Sequence, residues 1–430
     1  MGRRPPLLDP DALPEPDASS VAIRVRPAAE RALRDGHPWL FEGGVASESR
    51  NAPPGTVGVV FDRKNRFLAA GLLDPESPIR VRLLVHGEPA QIGEELFHSR
   101  IRNALARRSE VASHGTTGFR AIHGENDGLP GLVADLYDRA LVLRVETAAW
   151  LPHLRTLLAP LRALLAPDRV FLLASRPARR SPVCPPELAE LGGAELRVSE
   201  EALGIDPSGP NSGLPFVETG LHFEAHPFVG QKTGFYLDQR ENRRRLEGEV
   251  RGGRILNVFS YTGAFSVYAA RAGAEEAVDV DRAEPALRQA ERHFKLNRED
   301  PGVAACRHRT IAGDAFAVME ELGKRGEEFD TVVVDPPSFT RSAAHRDRAL
   351  RAYGRLTRLA LPLLSPGGLL VQASCSSRAE PEAFYAAVEN AVRAARRAME
   401  TPVHTGHPAD HPVGFPEGTY LKCLWARRPA

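Results

Sequence analysis

From about Leu214 onward the chain alternates strand-like and helix-like stretches, and this alternation limits the fold more than any other feature. RILNVFS is followed by a helix through FSVYAARAG, EAVDVD by a helix through ALRQAERHFKLN, and the AGDAF turn leads on to FDTVVVD and GGLLVQAS. Short apolar runs separated by helical periods predict a parallel sheet flanked by helices, an α/β fold. Ligands of such sheets bind outside the carboxyl ends of the strands. Several of those ends are acidic here: Asp281 ends the second strand, Asp314 lies in the AGDAF turn, and Asp335 closes VVVDPPSF.

Two further regions precede this one. Between Val21 and Pro89 the stretches VAIRV, TVGVVFD, FLAAGLL and IRVRLLV are short and closely spaced, with HPWLF and NAPPG between them. That pattern predicts a small β-barrel or compact sheet. A helix over EELFHSRIRNALARRS, the strand ALVLRVET, a Leu- and Ala-rich helix near Leu151 to Leu165 and the strand RVFLLAS follow, as in a small α/β region. The punctuation in PARRSPVCPPE and IDPSGPNSG predicts a linker or peripheral hairpin over residues 176–211. The opening residues, rich in Pro and Asp, read as a disordered tail without the apolar core of a secretory signal. The expected organisation is a tail at 1–20, a β-domain at 21–92, a central α/β domain at 93–205 and the large α/β domain at 206–430.

Composition narrows the function class. Hydrophobic residues make up 42% and charged residues 26%, as in a soluble globular protein. No stretch approaches the roughly 20 apolar residues of a membrane helix. Four cysteines, Cys184, Cys306, Cys375 and Cys423, lack CxxC spacing, so neither a metal site nor a disulfide framework is expected. Free thiols predict a cytoplasmic location. A net charge of +1 advertises no global field for nucleic acid, although basic residues can still gather on one face.

The strand-end motifs carry the chemistry. ILNVFSYTGAF is a strand, a tight turn with Gly263 and a helix start, a geometry that holds nucleotide-like ligands or simply turns the chain. A full G-x-G-x-x-G is absent, which favours a ligand without phosphates. Asp281 is placed to accept ribose hydroxyls, with Asp279 the less apt candidate, and Asp314 to accept an adenine amino group. Pro336 and Pro337 fix φ and remove two donors, so Asp335 ends in a stiff acceptor turn suited to gripping a base; its other reading is a helix cap. Cys375, in VQASCSS, reads from position equally as a packed thiol or as a nucleophile that adds to a pyrimidine ring. GQKTGFYLDQR, with Lys232, Thr233, Tyr236, Asp238 and Arg240, reads as a lid over a ligand or as a surface loop.

GHPWLF, HGENDGLPGLVADLY, GQKTGFYLDQR, LNVFSYTGAFSV, VVVDPPSF, ASCSS and HPVGFPEGTYLK occur in this order, and together they resemble the bacterial large-subunit rRNA (cytosine-5)-methyltransferases of the RlmI type. The resemblance runs from about residue 21 to the end. It implies an N-terminal PUA domain, the small central α/β domain and a Rossmann-like class I methyltransferase domain that uses S-adenosylmethionine. It also implies 23S rRNA as substrate and a homodimer. On this reading Lys232, Tyr236, Asn257, Phe259, Ser260, Tyr261, Thr262, Gly263, Asp281, Arg282, Asp314, Ala315 and Asp335 bind the cofactor. Pro336, Pro337 and Phe339 contact the substrate, and Cys375 with Asp335 carries the reaction at carbon 5 of a cytosine. Methylation of a base nitrogen, without a covalent intermediate, is the alternative. Two positions depart from the pattern: Ala264 stands where a second glycine is frequent, and Ser338 where a lysine often follows DPP.

Overall fold

Seven strands of the C-terminal region, β1 (Arg254–Val258), β2 (Glu276–Asp281), β3 (Arg307–Ala312), β4 (Phe329–Val334), β5 (Leu364–Ser374), β6 (Val403–Thr405) and β7 (Lys422–Arg427), join in one sheet. Their order is β3-β2-β1-β4-β5-β7-β6. The first five are parallel, and β7 runs antiparallel between β5 and β6. The longer helices are α1 (Arg240–Glu249), α2 (Ala264–Arg271), α3 (Glu284–Leu296), α4 (Ala315–Lys324), α5 (Arg346–Ala360) and α6 (Pro381–Ala394).

The two-residue period of a strand decides which side each residue serves. Leu256 and Val258 of β1, with Val278 and Val280 of β2 and Val332 and Val334 of β4, face Met319 and Leu322 of α4 and Leu356 and Ala360 of α5. Asn257 and Asp279 point to the opposite face, where they meet Ser266 of α2. Both faces are thus covered, as a parallel sheet requires.

The computed structural model describes residues 5–197, 213–339 and 346–430, which fall into two compact units. One contains the described residues up to Gly220, with Glu224–Leu237 and Ala409–Phe415; the other contains the large sheet.

In the first unit Trp39–Phe41, Ile79–His86, Phe67–Leu73, Val57–Phe61, Val21–Val25 and Val45–Glu48 form a six-stranded, largely antiparallel sheet, in that order. HPWLF, expected between strands, supplies one itself. A second six-stranded sheet follows the order Leu7–Leu8, Gly193–Leu196, Arg169–Ala174, Ala140–Val145, Leu132–Tyr137 and Gly118–His123. Ala70, Leu72 and Leu84 of the first sheet share a hydrophobic cluster with Phe97, Leu141 and Trp150 of the central region.

Two expectations fail here for a physical reason. From Pro5 onward the tail is ordered: Leu7 and Leu8 pair in parallel with Glu195 and Leu196, and Leu8 and Leu13 are buried. Arg155 donates to the carbonyls of Pro10, Asp11 and Leu13 at 3.0, 3.1 and 2.9 Å. A Pro/Asp-rich composition hid two leucines that complete a core, and an edge strand that needed a partner. Residues 176–196 are likewise no linker. Pro186 opens a short helix that ends on Gly192, and Gly193–Leu196 is an interior strand of the sheet. The expected hairpin around IDPSGPNSG lies outside the described residues, save for Gly213.

Candidate active site at the carboxyl edge of the sheet

Strand order reverses between β1 and β4, so the chain leaves these neighbours in opposite directions and a crevice opens beyond their carboxyl ends. β1 exits into Phe259–Gly263, and this turn is strained. Phe259 has φ +61°, Tyr261 +48° and Gly263 +69°. A left-handed non-glycine residue costs about 1–2 kcal/mol, and such residues gather at ligand-binding turns. The surroundings hold them there. Ser260 donates its N–H to Val280 O at 3.0 Å, Tyr261 N–H to Asp281 Oδ2 at 2.9 Å, and Gly263 N–H to Ser260 O at 2.9 Å. The ring of His293 meets Thr262 O at 2.9 Å. Ser260 Oγ is buried and finds no hydrogen-bond partner among the described residues. α2 begins at Ala264 without a side-chain cap, which leaves the N–H groups of its first turn open. A buried hydroxyl without a partner and an uncapped helix start suit a polar small-molecule ligand in this turn.

Beneath the turn lies a polar cluster that the sequence reading undervalued. Asp279 is fully buried and accepts from Asn257 Nδ2 at 2.8 Å and Ser266 Oγ at 2.6 Å, and its other oxygen meets His308 Nε2 at 2.8 Å. Asn257 also donates to Ser266 Oγ at 3.0 Å. Asn257 pairs in register with Asp279, one level below the strand ends, and its Nδ2 donates within the cluster. The cluster braces the turn from behind, because a Cβ on Gly263 would sit 2.6 Å from Asp279 Oδ2.

The other expected cofactor residues lie at the edge. Asp281 is half-buried and its second oxygen accepts from Ala283 N–H at 2.9 Å, so both oxygens orient loops besides facing outward. Arg282 is exposed. Asp314 is exposed and caps α4 through Phe316 and Ala317 N–H at 3.1 and 3.2 Å, with Ala315 buried behind it.

At β4 the backbone of Asp335 still pairs with Val258 O at 3.3 Å, and its carboxylate accepts from Gln239 Nε2 at 2.9 Å. Gln239 is oriented in turn by Asn242 Nδ2 at 2.6 Å, Asn242 by Thr405 Oγ1 at 2.7 Å, and Thr405 by Trp425 Nε1 at 2.9 Å. Pro336 is buried, Pro337 exposed. Phe339 is half-buried among Tyr353, Phe316 and Phe259, with ring centroids 5.2, 6.3 and 6.5 Å away. Cys375, just past β5, is half-buried and points its thiol at Pro336 O, 3.7 Å away. The DPP turn and the cysteine expected to act with it are in contact. Cys306 and Cys423 are buried, and burial pushes the Cys306 thiol up to about 11.

Lys232 and Tyr236 belong to the first unit, where the Lys232 ammonium lies 4.4 Å from the Tyr236 ring centroid. Thr233 between them is buried, bonded to Asp135 and 3.0 Å from Tyr137 Oη. Asp238 and Arg240 of the same motif lie in the second unit, and Asp238 accepts from Tyr420 Oη at 2.9 Å.

The family model for S-adenosylmethionine-dependent methyltransferases matches residues 202–417, about half of the chain. The chain belongs to that family. S-adenosylmethionine is its cofactor. A PUA-like domain model matches residues 23–86. Among curated relatives, a "Ribosomal RNA large subunit methyltransferase" of Deinococcus radiodurans is 44% identical over 418 residues, 96% of this chain and 98% of that one. A "Ribosomal RNA large subunit methyltransferase I" of Photobacterium profundum is 34% identical over 407 residues, 94% and 98% of the two chains. The resemblance read from the motifs thus extends along the chain. A solved methyltransferase from Streptococcus mutans superposes with a TM-score of 0.75 at 21% identity, over 94% of this chain and 99% of that one. A methyltransferase solved with SAH superposes at 0.77 with 20% identity, over the same shares. These two share the fold with the methyltransferase described here.

Proposed function

We propose that the enzyme methylates carbon 5 of a cytosine in 23S rRNA, with Cys375 as covalent nucleophile. The observation that carries this reading is the thiol of Cys375 against Pro336 O, which joins the two strand ends beside the cofactor turn. The relatives' names, which specify the large-subunit rRNA, supply the substrate class.

Bound in the crevice, S-adenosylmethionine supplies an electrophilic methyl group. The Phe259–Gly263 turn and the open start of α2 would hold the donor, with Asp281 at its ribose and Asp314 at its base. Arg282 and Ala315, of the same unit, would complete that set. The target base leaves its stack, as a buried ring atom demands, and lies along Pro336, Pro337 and Phe339. Asp335, kept in place by Gln239, accepts from the amino edge of the cytosine. The Cys375 thiolate then adds to carbon 6, and the electron pair displaced from the ring makes carbon 5 nucleophilic. Carbon 5 would take the methyl group, with S-adenosylhomocysteine as leaving group; loss of the carbon 5 proton to solvent and elimination of the thiolate from carbon 6 would then restore the aromatic ring.

The test is covalent trapping. Large-subunit rRNA carrying 5-fluorocytosine should form an adduct with the enzyme in the presence of cofactor, and Cys375→Ala should form none. If Cys375→Ala methylates at the native rate, the base-nitrogen reaction replaces this reading. We also propose a homodimer, on the family resemblance; a molar mass of one chain by light scattering refutes it.

A further inference from the structure

Lys422 is a lysine in an unusual place. It opens β7, stands opposite Ser374 in the register with β5, and is 2% exposed. Lysine is almost never so buried without a partner. Its Nζ donates to the carbonyl of Ser376, the residue after Cys375, and makes no ion pair among the described residues. The groups that act on its charge are Cys375 and Glu380. On the other side, Cys375 and Asp335 act on Tyr353, whose hydroxyl meets Ser374 Oγ at 2.8 Å. Burial pushes the Tyr353 phenol up, so it stays neutral and offers no charge to the thiol. Lys422 is therefore the cation placed to balance a thiolate at Cys375.

We propose that Lys422 takes the proton of the Cys375 thiol and leaves a thiolate–ammonium pair at the end of β5. The S–H bond breaks, its electron pair stays on sulfur, and the proton joins the nitrogen lone pair; nothing is oxidised or reduced. Burial brings the Lys422 ammonium down to about 8, so its neutral form is populated where an ordinary thiol, near 8.5, titrates. An ammonium beside a thiolate favours the charged form of both groups, which keeps the shared proton on nitrogen. The proposal deepens the nucleophile reading and rests on it for its role in the reaction.

The test reads the thiol itself, without RNA. Iodoacetamide alkylation of Cys375 is followed by peptide mass spectrometry across pH in the intact enzyme, with Cys306 and Cys184 as slow internal standards, both held near 11 by burial. The wild-type profile should rise with a midpoint at least a unit below the ordinary thiol value of about 8.5. Lys422→Met should move that midpoint up, and each unit lowers the rate at neutral pH about tenfold. Lys422→Arg, permanently charged, should keep a low midpoint. A wild-type midpoint at or above the ordinary value overturns the proposal, and needs no variant to fold. An unchanged midpoint in Lys422→Met, with S-adenosylmethionine binding intact, overturns it as well. Failure of the nucleophile reading looks different: Cys375→Ala would go on methylating whatever the alkylation profile shows.

Discussion

Replacing Gly263 by alanine tests how the Phe259–Gly263 turn, proposed to hold the cofactor, is itself held. Gly263 has φ +69°, and a Cβ there would lie 2.6 Å from Asp279 Oδ2 and 2.7 Å from Ala290 Cβ. Neither neighbour gives way easily. Asp279 is fixed by Asn257, Ser266 and His308, and Ala290 sits inside α3. The backbone conformation alone costs alanine about 1–2 kcal/mol. Overpacking against fixed atoms adds about 1–3 kcal/mol. Gly273 is the control: its φ is +100° and a Cβ there meets nothing within 4 Å, so Gly273→Ala bears only the backbone cost. In a unit of this size each kcal/mol shifts Tm by about 2–4 °C. Gly263→Ala should therefore melt about 2–12 °C below Gly273→Ala, by calorimetry without ligand. It should also bind S-adenosylmethionine about tenfold more weakly by titration calorimetry, a loss of about 1.4 kcal/mol, whereas Gly273→Ala should bind normally. If both variants melt within about 1 °C of each other, with equal affinity, the brace beneath the turn is not as described.

Four other perturbations have distinct signatures. Gln239→Leu removes a hydrogen bond to the Asp335 carboxylate worth about 1.5–3 kcal/mol, so kcat should fall roughly 10- to 100-fold while cofactor affinity holds, as steady-state kinetics and calorimetry can show. Asp279→Ala removes the shared acceptor of Asn257, Ser266 and His308 and should lower the urea stability of the second unit by about 2 kcal/mol or more; a loss under about 0.5 kcal/mol contradicts the cluster. Leu8→Ser with Leu13→Ser exposes two buried leucines, which should destabilise the first unit by about 3–6 kcal/mol in urea and leave cofactor binding unchanged. Burial lowers Lys422 from 10.5 to about 8, so between those values the unfolded chain holds the extra proton and stability rises with pH. Lys422→Met should flatten that rise, measured by urea unfolding at several pH values across the window.

Much of the large sheet was legible because its signals are local. Apolar runs, helical periods and a carboxylate at or near three of the strand ends sit within a few residues of one another, and they mark Asp281, Asp314 and Asp335 as strand-end residues. Asn257 shows the limit of that logic. It lies in the motif, but its register with Asp279 sets it a level below the edge, and depth within a sheet is a property of pairing rather than of spelling. Gln239 and Lys422 were missed for a related reason. Each reaches its partner across a long stretch of chain, Gln239 to Asp335 and Lys422 to the carbonyl beside Cys375, with no local pattern to announce it. The order of the N-terminal segment was hidden by composition, because two leucines among many Pro and Asp residues weigh little in an average yet fill a core.

The contact between the Cys375 thiol and Pro336 O has a consequence for tolerance to motion. Asp335 and Pro336 are consecutive, so the carboxylate and the resting place of the sulfur hang from one stiff stretch of backbone. If β4 and β5 slide past each other, the sulfur must leave its carbonyl before the spacing of the two groups can change. In the proposed reaction the distance from Asp335 to the Cys375 sulfur would then be set by this contact together with the registry of the two strands.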